Sequence, residues 1–436
     1  MGLGLLGRGV GDAKFLAECG ADIIVTDIKK AEELKSSLDE LAGFKNIKFV
    51  LGEHRLEDFR DRDMILKSAG VPIDSPYIIE ARKNNIPIEM SASLFVRLSG
   101  VKIVGVTGTR GKTTVTNLIF SILKESGFYK KVFLGGNIKG VSTLSFLKDV
   151  QSSDIAVLEL DSWQLQGFGE SGISPNISVF TTFMPDHMNY YKNDLDAYLN
   201  DKAQIFLYQK HDDKLILGDT IAETVQQKYG SKIKSTIVVA GRGLLPKDWE
   251  IKLPGEYNKY NISIAIATGL AMNINIDLIK KVVENFSPIE GRLEYKMTIK
   301  GVKVYNDTTA TTPDATVVAL KSLANLEKGE KVVLIMGGAD KQLDMNELIA
   351  ILPVYAKSVI LLPGTGTSRI KSQICSCNID LGVKEAEDLQ HAIKIAFADT
   401  KPGDVLLFSP AFASFGMFKN EYDRGDRFNE IISKMN

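Results

Sequence analysis

A glycine-rich stretch at residues 105–114, GVTGTRGKTT, constrains the fold of this chain more than any other feature. An apolar run at residues 101–104 precedes it, and residues 115–120 continue it with the apolar spacing that is typical of a helix. A strand, a glycine-rich turn and a helix start together form an anion cradle, where backbone N–H groups and the helix dipole face the ligand. The sequence therefore predicts an α/β domain that binds a nucleoside triphosphate.

The loop itself supplies groups for a triphosphate and a metal ion. Its backbone N–H groups would surround the phosphates, the Lys112 ammonium would reach the outer phosphates, and the Thr113 hydroxyl would bind Mg²⁺. Val106 stands where the general P-loop pattern requires glycine, whereas the variant G-x-T-G-T-x-G-K-T matches in full. The predicted nucleotide-binding residues of the loop are Gly108, Thr109, Gly111, Lys112, Thr113 and Thr114.

The length of 436 residues predicts about three domains, because single cores seldom grow beyond roughly 250–300 residues. Strands and helices alternate along the chain, which indicates α/β domains with mostly parallel sheets. We predict a Rossmann-like domain at residues 1–97, a P-loop ATPase-like domain at residues 98–288 and a second Rossmann-like domain at residues 289–436.

Composition excludes several classes of partner. A formal net charge of -1 offers no basic face to nucleic acid, and no apolar run is long enough to span a bilayer. The three cysteines, Cys19, Cys375 and Cys377, form neither a disulfide framework nor a zinc pattern. We therefore expect a cytoplasmic monomer whose partners are small molecules, with no nucleic acid and no membrane among them.

The first predicted domain begins with a dinucleotide-binding pattern, G-x-G-x-x-G at Gly2, Gly4 and Gly7. Asp27 follows about 20 residues later, where an acidic residue contacts the ribose in NAD-binding folds. The strand that should precede such a turn is missing, since only Met1 comes before Gly2. These residues predict a Rossmann-like unit without its first strand, and NAD binding stays open as one alternative.

Two predicted strands of the second domain lead to residues that can hold a metal ion. Glu159 lies near the end of the apolar run at residues 155–160, and His187 follows the run at residues 177–182. Because the carboxyl ends of parallel strands meet at one edge of a sheet, we expect both side chains to converge on the phosphate loop with Mg²⁺. Lys202 lies on a polar helical segment and by itself has the pattern of a solvated lysine.

The third domain repeats the strand-to-loop pattern. A hairpin is predicted at residues 296–305, followed by the polar loop NDTTATT at residues 306–312 and a helix that begins at Pro313. Later strands lead into loops at residues 337–341, 363–367 and 409–414. These loops are rich in hydroxyl groups and carry one well-placed cation, Lys341, so we expect a second ligand-binding sheet.

Taken in order, the motifs resemble those of the Mur ligases of peptidoglycan synthesis, and the resemblance covers nearly the whole chain. Besides the phosphate loop it rests on GGNI at residues 135–138, LELDSWQL at 158–165, PDH at 185–187, Asn258 with Asn261, and the stretches 305–312, 337–341 and 406–425. The family implies an ATP-dependent ligase with two Mg²⁺ ions. ATP would phosphorylate the carboxylate of UDP-N-acetylmuramoyl-L-alanine, and the amine of D-glutamate would attack the acyl phosphate and release phosphate.

The resemblance also implies roles for individual residues. Thr113 and Glu159 match ligands of one Mg²⁺, His187 matches a ligand of the other, and Lys202 matches a lysine that is carbamylated in the family and becomes a further ligand. Together with Lys112, the residues Glu159, His187 and Lys202 form the implied catalytic set. Asn258, Asn261, Arg292 and Asp307 match contacts to ATP. The implied substrate contacts are Leu5, Leu6, Ile28 and Lys29 for the uridine diphosphate end, Asn137 and Ser162 for the acceptor, and Thr311, Lys341 and Ser414 for D-glutamate.

Three positions depart from the family pattern. Thr309 replaces a lysine near the reacting carboxylate, Asp161 replaces a serine, and Glu421 stands where an aromatic residue often lines the amino-acid site. A ligase that adds another amino acid, or a folylpolyglutamate synthase, therefore stays an alternative. An NAD-dependent dehydrogenase with an ATPase domain and a non-catalytic nucleotide-binding protein are alternatives from other classes.

Overall fold

The computed structural model describes residues 1–325, 329, 331–376 and 381–435, so Cys377 lies outside the described residues. The chain divides into two compact units. The first contains Met1–Trp249 and Tyr260–Val283, and the second contains Glu250–Lys259 and the chain from Glu284 onward. The three-domain division at residues 1–97, 98–288 and 289–436 stays a prediction. None of the helices in the described ranges is long and apolar enough to cross a bilayer.

Two short parallel sheets form the N-terminal part of the first unit. Its elements are α1 (Arg8–Glu18), β1 (Ile23–Asp27), α2 (Lys35–Asp39), β2 (Ile47–Leu51), β3 (Ile65–Leu66), α3 (Pro76–Lys83), β4 (Ile88–Glu89) and α4 (Ser91–Ser99). β1 pairs with β2, and β3 pairs with β4. Within the described part of the chain, no strand precedes α1.

Six parallel strands form the main sheet of the first unit. They are β5 (Lys102–Thr107), β6 (Val132–Gly136), β7 (Ile155–Glu159), β8 (Ile177–Phe180), β9 (Lys214–Gly218) and β10 (Thr236–Ala240). Their order is β10-β9-β8-β5-β7-β6. Every residue of β7 and β8 is buried, as expected for parallel strands that are covered on both faces. The helices over this stretch are α5 (Lys112–Ser126), α6 (Ser162–Ser171), α7 (Leu195–Ala203), α8 (Asp219–Tyr229), α9 (Glu256–Ala271) and α10 (Ile276–Asn285).

The second unit contains another six-stranded sheet. Its strands are β11 (Glu294–Ile299), β12 (Val302–Asn306), β13 (Val332–Met336), β14 (Ala356–Leu361), β15 (Gly382–Glu385) and β16 (Val405–Phe408). The order is β11-β12-β16-β13-β14-β15, and each neighbouring pair is parallel except β11 with β12. The helices are α11 (Pro313–Leu323), α12 (Asn346–Tyr355), α13 (Thr365–Ser376), α14 (Leu389–Asp399) and α15 (Glu421–Ser433).

The sequence-based expectations for this architecture are confirmed in two respects. The main sheets are mostly parallel and alternate with helices, as the α/β assignment requires. The predicted hairpin is the antiparallel pair β11–β12, whose turn residues Lys300 and Gly301 both have positive φ angles, 49° and 80°. The described residues also form short 3₁₀ helices at Leu56–Phe59, Leu144–Lys148, Gly230–Lys232 and Arg242–Leu244.

Candidate active site

The phosphate loop connects β5 to α5 and depends on two glycines. Gly108 has a φ of 145° and Gly111 a φ of 84°, conformations that side chains rarely adopt. A Cβ atom at Gly108 would clash with the Thr181 hydroxyl, and one at Gly111 would clash with the side-chain oxygen of Asn261. The sequence thus folds the loop tightly against its neighbours and presents its N–H groups at the start of α5, where anions bind.

Lys112 is the first residue of α5, and its side chain folds back over the loop. Its Nζ donates hydrogen bonds to the carbonyl oxygens of Gly108 at 3.0 Å and Thr109 at 3.3 Å. Burial lowers the pKa of Lys112, and the negative charge of Glu159 acts in the opposite direction. Thr113 follows in the first turn of the helix, so a cation and a hydroxyl lie beside the helix N-terminus.

Glu159 and His187 come to the loop because β5 lies between β7 and β8. Glu159 ends β7, where it pairs in register with Val106 of β5, and its side chain is buried. His187 follows β8 with a left-handed backbone, φ 55°. Burial lowers the pKa of His187, so its imidazole is neutral at pH 7. A buried carboxylate and a neutral imidazole are both able to ligate a metal ion.

An ion pair that the sequence analysis missed connects this loop to His187. Arg110 Nη1 lies 2.8 Å from Asp186 Oδ2, and the backbone N–H of His187 donates to Asp186 Oδ1 at 2.9 Å. Burial acts to raise the pKa of Asp186, but the positive charges of His187 and Arg110 outweigh it and lower the pKa to about 2. Arg110 occupies the second variable position of the pattern G-x-T-G-T-x-G-K-T. The pattern therefore does not predict that this residue pairs with Asp186.

Lys202 is buried, so the interpretation of this residue as a solvated lysine is wrong. The side chain is only 1% exposed, and its Nζ donates to the carbonyl oxygen of Gly108 at 2.9 Å. α7 holds it there because Leu199 and Ala203 of the same helix pack into the hydrophobic core. Burial, followed by the positive charge of Lys112, lowers the pKa of Lys202 well below its usual 10.5.

These donors fit Mg²⁺ held together with phosphates. The described residues contain no group of three or more His, Cys, Asp or Glu side chains that could hold a metal ion by themselves. Mg²⁺ commonly takes one or two carboxylates and completes its octahedron with phosphate oxygens and water. The anion-binding loop has matching donors around it. They are the hydroxyl of Thr113, the carboxylate of Glu159 and the imidazole of His187.

The residues predicted to contact the uridine diphosphate group lie at the glycine turn and after β1. Leu5 and Ile28 are exposed. The two carboxylate oxygens of Asp27 accept hydrogen bonds from the backbone N–H groups of Gly4 at 3.0 Å and Lys29 at 2.9 Å. Asp27 therefore joins the glycine turn to the end of β1.

Two further predicted contacts lie near this turn. The carbonyl oxygen of Leu6 accepts a hydrogen bond from the N–H of Gly140 at 2.8 Å. The side-chain oxygen of Asn137 accepts a hydrogen bond from Arg8, a residue that the sequence analysis did not select. The predicted acceptor contact Asn137 is thereby connected to the N-terminal turn.

The departure at Asp161 has a structural explanation. Asp161 is the N-cap of α6, and its Oδ1 accepts a hydrogen bond from the Gln164 N–H at 2.7 Å. In return the Asp161 N–H donates to Gln164 Oε1 at 3.2 Å, which completes a capping box. Aspartate and serine are both favoured at this position, so the helix start that holds the buried Ser162 is preserved.

The two predicted nucleotide-contacting asparagines lie on α9 but belong to different units. Asn261 is in the first unit, where its side-chain oxygen lies against Gly111 of the phosphate loop. Asn258 is in the second unit, and its Nδ2 donates to the carbonyl oxygen of Pro254 at 2.8 Å. Both side chains are buried.

In the second unit, Lys341 and Thr311 are brought together. Lys341 Nζ donates to Thr311 Oγ1 at 3.1 Å. An antiparallel bridge between Ala339 and Ala413 places the loops after β13 and β16 side by side, which puts Ser414 in the loop next to that of Lys341. One cation and two hydroxyl groups therefore occupy neighbouring loops at the carboxyl ends of parallel strands.

Asp307, a predicted ATP contact, is buried in the second unit. Its carboxylate accepts hydrogen bonds from Ser409 Oγ at 2.7 Å and from the Leu293 N–H at 3.0 Å. Burial raises its pKa to about 7 despite these bonds. The other predicted contact, Arg292, is exposed. Thr309, the residue in place of the family lysine, donates from Oγ1 to the Gly291 carbonyl oxygen at 2.7 Å.

The sequence analysis also missed a buried arginine. Arg424 is fully buried, and it donates to the carbonyl oxygens of Phe412 at 3.1 Å and Thr308 at 2.7 Å. Burial lowers its pKa to about 10, while the charge of Glu421 acts in the opposite direction. Arg424 thus holds two of the ligand loops together, and Glu421 contributes a compensating charge.

Family models match three segments of the chain. They are described as the Mur ligase MurD-like N-terminal domain over residues 1–89, the Mur ligase middle domain over residues 106–242, and the Mur ligase glutamate ligase domain over residues 291–412.

Similar proteins extend over the full length. UDP-N-acetylmuramoylalanine–D-glutamate ligase of Roseiflexus sp. is 36% identical and covers 99% of this chain and 97% of its own. The enzyme of the same name from Borreliella burgdorferi is also 36% identical, with 100% and 97% covered.

Solved structures have the same fold. UDP-N-acetylmuramate–alanine ligase of Thermotoga maritima has a TM-score of 0.65 at 21% identity, with 100% of this chain and 98% of that one covered. The MurF ligase of the same organism in complex with ADP has a TM-score of 0.59 at 18% identity, with 87% and 96% covered.

Proposed function

The chain belongs to the Mur ligase family, and we propose that it joins D-glutamate to UDP-N-acetylmuramoyl-L-alanine at the expense of ATP. The γ-phosphoryl group passes from ATP to the acceptor carboxylate, which gives ADP and an acyl phosphate. The amine of D-glutamate then attacks the acyl carbon, the C–O bond to phosphate breaks, and an amide, inorganic phosphate and a proton result. The name carried by the full-length relatives at 36% identity supports this choice of substrates.

One observation of the structure supports the proposal most directly. A single phosphate loop lies at the carboxyl ends of three neighbouring strands. The side chains around it are those of Lys112, Glu159, His187 and Lys202. Loop N–H groups and the Lys112 ammonium would offset the negative charge of the γ-phosphate as it transfers. The geometry suits phosphoryl transfer, in which positioning and charge do most of the catalytic work.

Two Mg²⁺ ions are part of the proposal. Thr113 and Glu159 would hold one, and His187 with a carbamylated Lys202 would hold the other; bound Mg²⁺ would neutralise charge on the phosphates. Carbamylation requires a neutral amine, which attacks CO₂, forms an N–C bond and releases a proton. Burial lowers the pKa of Lys202 well below its usual value, which favours that neutral amine.

The second unit would bind D-glutamate. The Lys341 ammonium suits a substrate carboxylate, and the hydroxyl groups of Thr311 and Ser414 suit the remaining carboxylate oxygens. Leu5, Ile28 and their neighbours at the glycine turn would contact the uridine diphosphate end. We propose that the enzyme is a cytoplasmic monomer.

A phosphate-release assay tests the proposal. With ATP and Mg²⁺ present, we expect release only when both UDP-N-acetylmuramoyl-L-alanine and D-glutamate are added, and much less with L-glutamate. Incorporation of a different amino acid from a panel would refute the D-glutamate assignment. Phosphate release that does not depend on UDP-N-acetylmuramoyl-L-alanine would indicate a nucleotide-binding ATPase. A change in nicotinamide absorbance would indicate a dehydrogenase.

A further inference from the structure

The loop at residues 337–343, called the Lys341 loop below, follows β13 in the second unit. Lys341 is exposed, and so is the next residue, Gln342. Gln342 has a left-handed backbone with a φ of 57°, a conformation that is unfavourable for a residue with a side chain. The loop therefore needs contacts from outside itself to keep Lys341 in one position.

Arg369 of α13 supplies such contacts on both sides of Lys341. Its Nε donates to Asp340 Oδ2 at 2.8 Å, and its Nη2 donates to Asp340 Oδ1 at 2.7 Å. Nη1 and Nη2 also donate to the carbonyl oxygen of Leu343, each at 3.1 Å. A planar guanidinium bound in this two-pronged way has a fixed orientation, so it fixes the loop before and after Lys341.

Asp340 passes this constraint on to the backbone of the loop. Its Oδ1 accepts a hydrogen bond from the Gln342 N–H at 2.8 Å, and its own N–H donates to Thr365 Oγ1 at 2.9 Å. Burial acts to raise the pKa of Asp340, but the hydrogen bond from Arg369 opposes it and the pKa is lowered. The carboxylate is therefore ionised at pH 7, as an ion pair with Arg369 requires.

The guanidinium is attached to a rigid part of the fold. Ile370 and Ile374 of α13 are buried in the hydrophobic core of the second unit, 0% and 2% exposed. The side chains of Arg369 and Asp340 are themselves 31% and 18% exposed. An ion pair that is partly exposed to solvent adds little to global stability. The pair thus suits a role in holding the loop better than a role in holding the domain together.

We propose that Arg369 is a positioning residue for D-glutamate, which it affects through Lys341 without binding the substrate itself. By holding Asp340 and Leu343, it keeps the Lys341 ammonium beside the Thr311 hydroxyl, where Nζ and Oγ1 are 3.1 Å apart. An ammonium that is already in place loses less conformational freedom when it binds a carboxylate. This inference rests on the proposed role of Lys341 in binding D-glutamate.

Steady-state kinetics of Arg369→Gln test the inference. We expect the KM for D-glutamate to rise about 10-fold to 100-fold, because a charged two-pronged contact is lost. The kcat and the KM for ATP should stay within about twofold of the wild type, since the contact aids binding of one substrate only. Arg369→Lys keeps the charge but not the planar fork, so its KM should lie between the two.

Two further variants separate this effect from a general loss of charge or structure. Lys371→Gln is the matched control, since it removes one cation from the same helix, where Lys371 forms an exposed ion pair with Glu385. It should leave every kinetic constant unchanged. Asp340→Asn should raise the KM for D-glutamate as Arg369→Gln does, and the double variant should add little, because both changes remove one contact.

Hydrogen exchange tests the positioning without the reaction. In Arg369→Gln the amides of Asp340 and Gln342 should exchange at least about tenfold faster than in the wild type. Unchanged exchange, an unchanged KM for D-glutamate, or an equal loss for all substrates would each overturn the inference. A wild type without phosphate release that depends on D-glutamate would instead refute the proposed function, and the exchange rates would still show whether Arg369 orders the loop.

Discussion

Asp186 offers a direct test of how the site is held together. Its carboxylate accepts from Arg110 of the phosphate loop at 2.8 Å and from the backbone N–H of His187 at 2.9 Å. Substitution of Asp186→Asn keeps the size of the side chain and an oxygen for the His187 N–H, but it removes the negative charge. The variant therefore separates the charge interaction from the local shape.

The pKa of Asp186 sets the size of the expected effect. The drop from the usual 3.8 to about 2 corresponds to about 2.4 kcal/mol, since one pKa unit is about 1.4 kcal/mol. Part of this drop comes from the positive charge that His187 carries at low pH. At pH 7 this part is absent, because burial lowers the pKa of His187 and its imidazole is neutral. We therefore expect Asp186→Asn to lower the unfolding free energy of the first unit by about 1–2 kcal/mol at pH 7.

The pH dependence has a definite sign. A carboxyl group with a lowered pKa stabilises the folded state above its unfolded value, and this contribution is lost as the pH falls. For Asp186 the loss lies between pH 3.8 and about 2. The difference in stability between wild type and Asp186→Asn should therefore be present at pH 7, increase where His187 becomes charged at lower pH, and be lost as the pH falls from 3.8 to about 2.

Urea unfolding and steady-state kinetics measure the two consequences. Because Asp186 orients His187, we expect the Mg²⁺ concentration for half-maximal activity to rise about 10-fold to 100-fold. Asp196→Asn is the matched control, since that carboxylate lies on α7 and is 77% exposed. If Asp186→Asn matches this control in both stability and Mg²⁺ requirement, the proposed link between loop and His187 is wrong.

Three further predictions follow from buried ionisable groups. Lys202→Met should fold normally and have a kcat at least about 100-fold lower than that of the wild type. Acetate should partly restore the activity of Lys202→Ala. Activity equal to that of the wild type, without rescue, would contradict a carbamate ligand. Asp307 has a folded pKa of about 7, so stability should fall as the pH rises from 4 to 7, by up to about 4 kcal/mol, and urea unfolding of Asp307→Asn should lack this fall. The Met1 amine has a pKa lowered to about 6, so stability should rise between pH 6 and 8 by up to about 2.7 kcal/mol, and acetylation of the amine should abolish the rise in thermal unfolding.

Local sequence patterns predicted the backbone of the site well. The apolar run before residue 105 forms β5, and the helix begins at Lys112, because glycines permit the turn between them. Glu159 is at the end of β7 as expected, since short apolar runs in α/β proteins become buried parallel strands. These features depend on neighbours within a few residues, so the sequence carries them directly.

Burial and long-range pairing could not be predicted in the same way. Lys202 contacts the Gly108 carbonyl oxygen across 94 residues, and its polar surroundings in sequence gave the opposite expectation. Arg424 reaches Thr308 across 116 residues without a local signal. The capping role of Asp161 was accessible, because aspartate followed three residues later by glutamine is a recognisable helix start.

The two buried lysines of the phosphate loop give a physical reason for a modified Lys202. Lys112 and Lys202 both donate to the carbonyl oxygen of Gly108, at 3.0 and 2.9 Å. Two buried cations at one acceptor are unfavourable, and the charge of Lys112 contributes to the lowered pKa of Lys202. A carbamate on Lys202 would reverse the sign of that interaction, because Lys112 attracts an anion at the same distance at which it repels a cation. The burial that makes the ammonium form of Lys202 unfavourable thus also supplies the neutral amine from which the anion forms.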